Sequence, residues 1–216
     1  MKSKTEVAVN SNDSKRRNNK VFTIMHHTIS VETIFIYAIF VFALVLLGDS
    51  FYIKTKAQYA QYLIGNSWQY YANTGEIQKP WPWADTFPIA ELSIQDTSHF
   101  ILSGASGRNL AFGPAHLANT ASLGSEGNAA IAGHRDTHFE QLKTSKLGDL
   151  IYLTSRQEDK LVKQVFRVSD IKIVDEKNID VLQETSTSTL TLITCYPFDS
   201  IDPNPSQRYI VKAELI

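Results

Sequence analysis

An uncharged apolar run near the N-terminus constrains this chain more than any other feature. Residues 33–48 read TIFIYAIFVFALVLLG and contain no charged side chain. A helix of about 20 apolar residues crosses the hydrocarbon core of a bilayer, and the residues from Val21 to the start of the run add only Glu32 as a charge. We therefore predict a single-pass transmembrane anchor over residues 31–48, preceded by a polar tail over residues 1–30.

Two other structures give a similar run, a cleaved signal peptide and a buried core helix. A signal peptide requires small residues at a cleavage site, and Gly48-Asp49-Ser50 matches that pattern poorly. A core helix of a globular protein usually has a polar stripe, whereas this run is apolar on every face. The pattern therefore favours an uncleaved anchor over both alternatives.

The distribution of charge predicts the orientation of this anchor. Residues 1–20 contain six Lys or Arg, whereas residues 49–78 contain only Lys54 and Lys56. Cytoplasmic flanks of membrane helices carry the excess of positive charge. We therefore expect the N-terminus in the cytoplasm and everything after residue 48 outside it.

A polar segment with regularly placed aromatic residues follows the anchor, over residues 49–79. Its spacing suits a juxtamembrane helical stalk, and its aromatic residues favour packing on the next domain or contact with the lipid interface over binding of a partner. The prolines of the sequence PWPW at residues 80–83 then end any helix. We place a domain boundary near residue 80, with one folded domain over residues 80–216.

The folded domain is predicted to be mainly β, with short helices. Apolar and polar residues alternate in short runs separated by turns, which is typical of a closed β-structure. Thr137 and Glu140 have the spacing of a helix capping box, which predicts a helix beginning there. The predicted strands lie at residues 129–132, 150–154, 165–174, 189–194 and 209–215.

Composition excludes several classes of function. The net charge of −1 gives no basic surface for nucleic acid, and the single cysteine, Cys195, excludes an intrachain disulfide and a zinc site of several thiolates. His134 and His138 are four residues apart, but a cap at Thr137 would leave them on different faces. We therefore predict no metal and no cofactor, and His99, His116 and His138 have no assigned role.

Three side chains have the chemistry of a cysteine nucleophile and its partners. A thiol that attacks a carbonyl needs an imidazole to manage its proton and a donor for the oxyanion. Cys195 follows an apolar strand, His134 follows another, and Arg208 begins the last strand on its polar face. Considered singly, each is more often a buried thiol, a loop histidine or a surface arginine. Spacing alone does not establish that they meet.

The motifs around these residues resemble those of sortases, in the order usual for that family. They are GNAAIAGHR at residues 127–135, TLTLITC at residues 189–195, and Arg208. The details AGHRDTHF, TCYPFD, AFGPAHL and the PWPWAD of residues 80–85 are similar to the Gram-negative branch. The resemblance covers about residues 80–216 and implies an eight-stranded β-barrel.

The resemblance also implies an activity and its residues. Cys195 would cleave a sorting signal of the Leu-Pro-x-Thr-Gly type between Thr and Gly, forming a thioester that passes to an amine acceptor. His134 would transfer the protons, Arg208 would bind the substrate backbone or the oxyanion, and Thr194 would contact the substrate in the groove. The implied location is the inner membrane, with the catalytic domain on the periplasmic side and an exported protein as partner.

Two alternatives remain open at this point. One is an L,D-transpeptidase or another cell-wall cysteine peptidase. Its motif has His, Gly, Cys and Arg within a few residues, whereas Cys195 is followed by Tyr-Pro-Phe. The other is a membrane-tethered binding module in which Cys195 is buried and inert.

Overall fold

The computed structural model describes residues 30–216, so the predicted polar tail lies outside the described residues except for Ser30. The chain divides into two compact units, Met1–Phe51 and Tyr52–Ile216. We describe each unit by itself.

The first unit contains the beginning of a long helix, α1, which runs over Val31–Thr74. Its apolar part has a mean hydropathy of 2.4 and is not buried against other parts of the protein. Within residues 30–216, α1 is the one helix long and apolar enough to cross a membrane. The predicted anchor therefore has the length and composition of a membrane span.

The later part of α1 belongs to the second unit, which begins at Tyr52. Ile64 and Trp68 are only 1% and 5% exposed. Gln61 Nε2 also donates a hydrogen bond to the carbonyl of Phe112, at 2.6 Å. The segment predicted as a stalk is thus helical as far as Thr74, and its residues from Tyr52 onward belong to the second unit. The domain boundary near residue 80 stays a prediction.

Eight strands of the second unit form a closed barrel in the order β1-β2-β3-β4-β7-β8-β6-β5. This confirms the predicted eight-stranded, mainly β fold. The strands are β1 (Pro88–Ile94), β2 (Thr97–Ser103), β3 (Ala115–His116), β4 (Asn128–Ala132), β5 (Leu150–Gln157), β6 (Lys160–Asp175), β7 (Thr189–Tyr196) and β8 (Gln207–Leu215).

Alternation of side chains gives the barrel its core. Successive residues of a strand point to opposite faces, so every second residue points inward. On β7 these are Leu190 and Leu192, and on β8 they are Val211 and Ala213, all fully buried. Burial of these aliphatic side chains, at about 25 cal/mol per Å² of apolar surface, supplies much of the stability.

The barrel order places β7 between β4 and β8. β4 is parallel to β7, and β8 is antiparallel to it. The end of β4, the end of β7 and the beginning of β8 therefore lie at the same edge of the barrel. These are the three chain positions at which His134, Cys195 and Arg208 occur.

The helix predicted to begin at Thr137 does not form. A 3-10 helix occurs instead over Glu140–Thr144, with Phe139 at its N-cap position and no capping side chain. Phe139 is fully buried in the core, and its N–H donates to the carbonyl of His134 at 2.9 Å. Burial of the aromatic ring therefore determines a tight turn here, where the local capping pattern predicted a helix.

Gly133 makes this turn possible. A Cβ atom at Gly133 would lie only 2.7 Å from the Phe139 ring. The ring can cover this backbone only because residue 133 has no side chain. His134 therefore follows directly on a backbone segment that is fixed by core packing.

Candidate active site

Cys195 and Arg208 are directly opposite each other on β7 and β8. Opposed residues of an antiparallel pair point to the same face, with Cβ atoms about 5 Å apart. The inward-pointing residues are Leu192 and its partner Val211, so Cys195 and Arg208 point to the outside of the barrel. Cys195 is a free thiol and is partly exposed.

His134 lies on the other side of Cys195, just after β4. The register of β4 and β7 pairs Ala132 with Ile193, and the N–H of Gly133 donates to the carbonyl of Ile193 at 3.0 Å. His134 is two residues after Ala132, and Cys195 is two residues after Ile193. The structure thus places Cys195 opposite Arg208 on β8, and it places His134 two residues beyond the end of β4, on the other side of β7.

Thr194 is on the opposite face of β7 from Cys195. Its side chain is buried, and its Oγ1 donates to the carbonyl of Gly133 at 2.7 Å. The hydroxyl therefore fixes the backbone next to His134 and points away from the face that carries the thiol. A direct contact between Thr194 and a bound peptide would use its backbone.

The guanidinium of Arg208 has several partners. Its Nη2 lies 2.9 Å from a carboxylate oxygen of Glu176. Its Nη1 donates to the carbonyls of Pro205, at 2.5 Å, and Gln207, at 3.0 Å. The Glu176 N–H also donates to the carbonyl of Ser206, at 2.7 Å. These bonds hold a permanently charged group beside Cys195.

Arg135, next to His134, holds the segment between β7 and β8. Its Nη2 donates to the carbonyls of Ser200, at 2.7 Å, and Asp202, at 2.6 Å. In the sequence, Arg135 stands out only as part of a motif. Its role could not be found from the local pattern, because both acceptors lie more than 60 residues away.

Asn128, at the beginning of β4, holds a different loop at the opposite end of this strand from His134. Its buried Nδ2 donates to the carbonyls of Val181, at 2.9 Å, and Gln183, at 3.1 Å. Its Oδ1 accepts a bond from Thr191 Oγ1 at 2.7 Å. The segment between β6 and β7, with its 3-10 helix Ile179–Leu182, is thereby held beside the outer face of β7.

Two histidines without a predicted role lie close together near His134. The rings of His99 and His138 are 5.6 Å apart and nearly perpendicular, and Gln141 Nε2 donates to His99 Nε2 at 2.9 Å. Burial, with a smaller contribution from His138, lowers the pKa of His99 to about 4. Burial also lowers the pKa of His138, with a further lowering by His134 and an opposing effect of Asp136.

Both imidazoles are therefore neutral at pH 7. Within residues 30–216 no group of three or more His, Cys, Asp and Glu side chains could hold a metal ion. The expected absence of a metal or cofactor in this protein stays a prediction.

A small aromatic cavity lies at the same end of the barrel. It has a volume of about 290 Å³, and its walls include Tyr196, Phe198 and Tyr209. The rings of Phe198 and Tyr209 meet edge to face with centroids 5.2 Å apart. Burial raises the pKa of Tyr209, with a smaller contribution from Tyr196. The wall of the cavity also includes an ion pair, Lys143 Nζ to Asp199 Oδ1 at 2.8 Å.

Residues 91–216 match the family model described as Sortase domain, which is more than half of the chain. The chain belongs to the sortase family. This confirms the resemblance drawn from the motifs, and it favours a sortase over an L,D-transpeptidase. Assignment to the Gram-negative branch stays a prediction.

Individual relatives agree with the family assignment. Sortase A of Listeria monocytogenes is 31% identical over 104 residues, which are 46% of this chain and 45% of that protein. The structure of a Clostridium perfringens Sortase D5 transpeptidase has a TM-score of 0.53 and 28% identity, covering 66% of this chain and 83% of that one. Sortase A from Corynebacterium diphtheriae has a TM-score of 0.54 and 29% identity, covering 62% and 63%.

Membership of the family indicates the general class of reaction. Sortases are transpeptidases that join proteins carrying a sorting signal to an amine acceptor. The chain is therefore a cysteine transpeptidase in general terms.

Proposed function

We propose that this protein is a membrane-anchored transpeptidase that cleaves sorting signals of the Leu-Pro-x-Thr-Gly type, with Cys195 as nucleophile. One observation carries the proposal. Cys195 is opposed to Arg208 across β7 and β8, and His134 lies two residues beyond the last registered pair of β4 and β7. An imidazole and a guanidinium therefore lie on the two sides of the only thiol of the chain. This is the set of groups that acyl transfer through a thioester requires.

In the first step the Cys195 sulfur, as thiolate, attacks the carbonyl carbon of the signal threonine. A C–S bond forms, and the carbonyl oxygen becomes an oxyanion. The C–N bond to glycine then breaks, and His134 as imidazolium donates its proton to the departing amine. The products are a thioester on Cys195, a neutral His134 and a released peptide that begins with glycine.

In the second step an amine attacks the thioester. The new C–N bond forms as the C–S bond breaks, and the Cys195 thiolate is the leaving group. His134 accepts the proton that the attacking amine loses. The enzyme is thereby restored to its starting protonation state, and the substrate protein ends in an amide with the acceptor.

Arg208 would stabilise the negative oxygen that both steps produce, or bind the substrate backbone. Its guanidinium is always charged and has donors in a fixed planar arrangement. The bonds that the guanidinium donates to Glu176 and to the Pro205 carbonyl fix one side of that plane. The remaining donors then need little reorganisation to meet a developing oxyanion.

The partners follow from this chemistry. The substrate is an exported protein with a C-terminal signal, the acceptor is an amine, and neither nucleic acid nor a cofactor takes part. We place the enzyme in the inner membrane with a cytoplasmic N-terminus and the barrel on the periplasmic side, because Lys and Arg are concentrated before the apolar run. Thr194 stays a candidate contact of the substrate through its backbone.

The test uses the full chain in detergent with a library of quenched Leu-Pro-x-Thr-Gly peptides, with and without an added amine. We expect products cut between Thr and Gly, and an amide with the amine when it is present, both identified by mass. A Cys195→Ala variant should give neither product. Wild-type protein that cuts no member of the library, or a Cys195→Ala variant that still cuts, would contradict the proposal.

A further inference from the structure

A large apolar groove lies on the second unit, between residues 52–63 of α1 and the segment around residues 80–85. Its volume is about 970 Å³. We call the tyrosines and tryptophans that line it the aromatic patch: Tyr52, Tyr59, Trp81 and Trp83. The side chains of Lys56 and Arg108 also line the groove.

The aromatic patch is unusually exposed. Trp83 is 82% exposed, Tyr52 63% and Tyr59 61%. Contiguous exposed apolar surface of this kind on a folded protein commonly marks a contact with a membrane or a partner. Each of these rings also has a polar atom that prefers a hydrated position.

The segment that carries Trp83 is held rather than loose. Prolines on both sides of Trp81 limit the backbone, and the N–H of Ala84 donates to the carbonyl of Trp81 at 3.0 Å. The Trp81 ring packs on Phe112 with centroids 5.0 Å apart. The structure therefore holds Trp83 in its exposed position.

Chain length places the groove close to the apolar run. Tyr52 follows Gly48, the last residue of that run, by four residues, which is about 6 Å of helix. The polar headgroup layer on each side of the hydrocarbon core is about 5–7 Å thick. If residues 31–48 span the core, Tyr52 lies within the headgroup layer.

The composition of the groove fits that layer. Trp and Tyr concentrate at the boundary between headgroups and acyl chains, where their rings are apolar and their N–H and O–H groups stay hydrated. Lys56 provides a cation for lipid phosphates, and its ammonium lies 5.9 Å from the centre of the Tyr52 ring. Arg108 also lines the groove, where its Nη1 lies 3.5 Å from a carboxylate oxygen of Asp85. A long cationic side chain can also extend from an apolar surface towards the headgroups.

We propose that the aromatic patch is a second membrane contact, in which Trp83 inserts at the boundary between phospholipid headgroups and acyl chains. The occupant of the groove is the outer leaflet of the bilayer in which α1 is anchored. The protein then has two attachments to the membrane, the helix and the patch. This inference depends on the anchor and not on the catalytic residues, so it goes beyond the proposed function.

The three tryptophans of the chain, Trp68, Trp81 and Trp83, allow a direct test. The full chain is reconstituted in phospholipid nanodiscs whose acyl chains carry bromine near the headgroup end or near the methyl end. Bromine quenches tryptophan emission only at close contact. We expect quenching mainly by the shallow bromine, and we expect Trp83→Phe to remove most of it. Trp81→Phe should remove less, because the Trp81 ring packs on Phe112.

A matched control separates membrane contact from simple exposure. Ile201 is fully exposed and lies in the segment between β7 and β8, away from the groove in sequence. In a Trp83→Phe background, an Ile201→Trp variant should show no more quenching by either lipid than Trp83→Phe alone. A Cys195→Ala variant should be quenched as the wild type is, which keeps this result independent of activity.

Three outcomes would overturn the proposal. The first is equal emission in brominated and unbrominated lipid for the wild type. The second is quenching that Trp83→Phe leaves unchanged, or that Ile201→Trp shows equally. The third is a Trp83-dependent association of two chains in one nanodisc without lipid quenching, which would make a second copy of the protein the occupant of the groove.

Discussion

The two faces of β7 have opposite surroundings. On the inner face, Leu190 and Leu192 are fully buried in the barrel core. On the outer face, exposure rises from the buried Thr191 to the partly exposed Ile193 and Cys195. One strand therefore contributes both to the densest packing of the protein and to its reactive group.

The difference shows how a rigid site is built on a sheet. The inner face fixes the backbone through apolar contacts that do not depend on direction. The outer face then needs few contacts of its own, because neighbouring strands supply His134 and Arg208 at the same level as Cys195. Substitutions on the inner face should act on stability, and substitutions on the outer face should act on the reaction.

The largest expected effect is on the outer face. Replacing Cys195 with Ala removes the nucleophile, and we expect kcat/KM for peptide cleavage to fall by at least about a thousandfold. The thermal midpoint should stay close to that of the wild type, because the side chain is small and partly exposed. Measurement of both quantities on one preparation tests the comparison. A large drop in the midpoint would show that the two faces are not separable.

On the inner face, Leu192→Ala should lower the free energy of unfolding by about 2–5 kcal/mol, since it leaves a cavity in a packed core. The neighbouring Ile193→Ala is the matched control, because Ile193 points outward and is only partly buried. Denaturant unfolding of both variants measures the difference. Equal losses in the free energy of unfolding of the two variants would contradict the difference between the two faces.

Thr194 tests the link between the two faces. Thr194→Val keeps the shape but leaves the buried Gly133 carbonyl without the bond from Oγ1, which should cost about 1–3 kcal/mol of stability. Thr194→Ser keeps the hydroxyl and should lose less. We also expect Thr194→Val to lower kcat more than Thr194→Ser does, because Gly133 precedes His134. Equal stability of the two variants would contradict this role.

Glu176 tests the role of Arg208 on the outer face. Glu176→Gln replaces the ion pair with Arg208 by a neutral contact, and we expect kcat/KM to fall about tenfold. The fall should appear in kcat if Arg208 stabilises an oxyanion and in KM if it binds the substrate. Glu158→Gln, in the turn between β5 and β6, serves as the control and should change neither. If kcat/KM of the Glu176→Gln variant equals that of the wild type, Glu176 has no role in the site.

The smallest expected effect concerns His99 and acid stability. The folded-state pKa of about 4 lies below the ordinary value of 6.5, so the unfolded chain binds this proton more readily than the folded one. The contribution of His99 to stability is therefore complete above pH 6.5 and is lost as the pH falls towards 4. Allowing for partial exposure, the loss is of order 1–2 kcal/mol. His99→Gln should flatten this part of the stability profile, and an unchanged slope would contradict the assignment.

Much of the barrel could be predicted from the sequence. Short apolar or alternating runs between turns located β4 to β8 to within five residues at each end, because such runs are typical of strands. The three earlier strands were not predicted. β3 has only two residues, Ala115–His116, which is too short to show any period, and β1 begins at a proline.

The candidate site could be predicted only in part. Motifs identified His134, Cys195 and Arg208, but their separations of 61 and 13 residues contain no information on distance in space. The register of three strands supplies that information. The partners Glu176, Arg135 and Asn128 were not identified, because each acts on a backbone or side chain distant in sequence.

The opposition of Cys195 and Arg208 has a consequence for variation. Strand pairing fixes the spacing of these two residues, and the connecting segment, residues 197–206, does not. The middle of that segment can therefore change in length or composition, provided that the Pro205 carbonyl, which accepts a bond from Arg208, stays in place. A designer who wishes to alter which peptides are accepted could graft new sequences between β7 and β8 and leave the reactive pair intact.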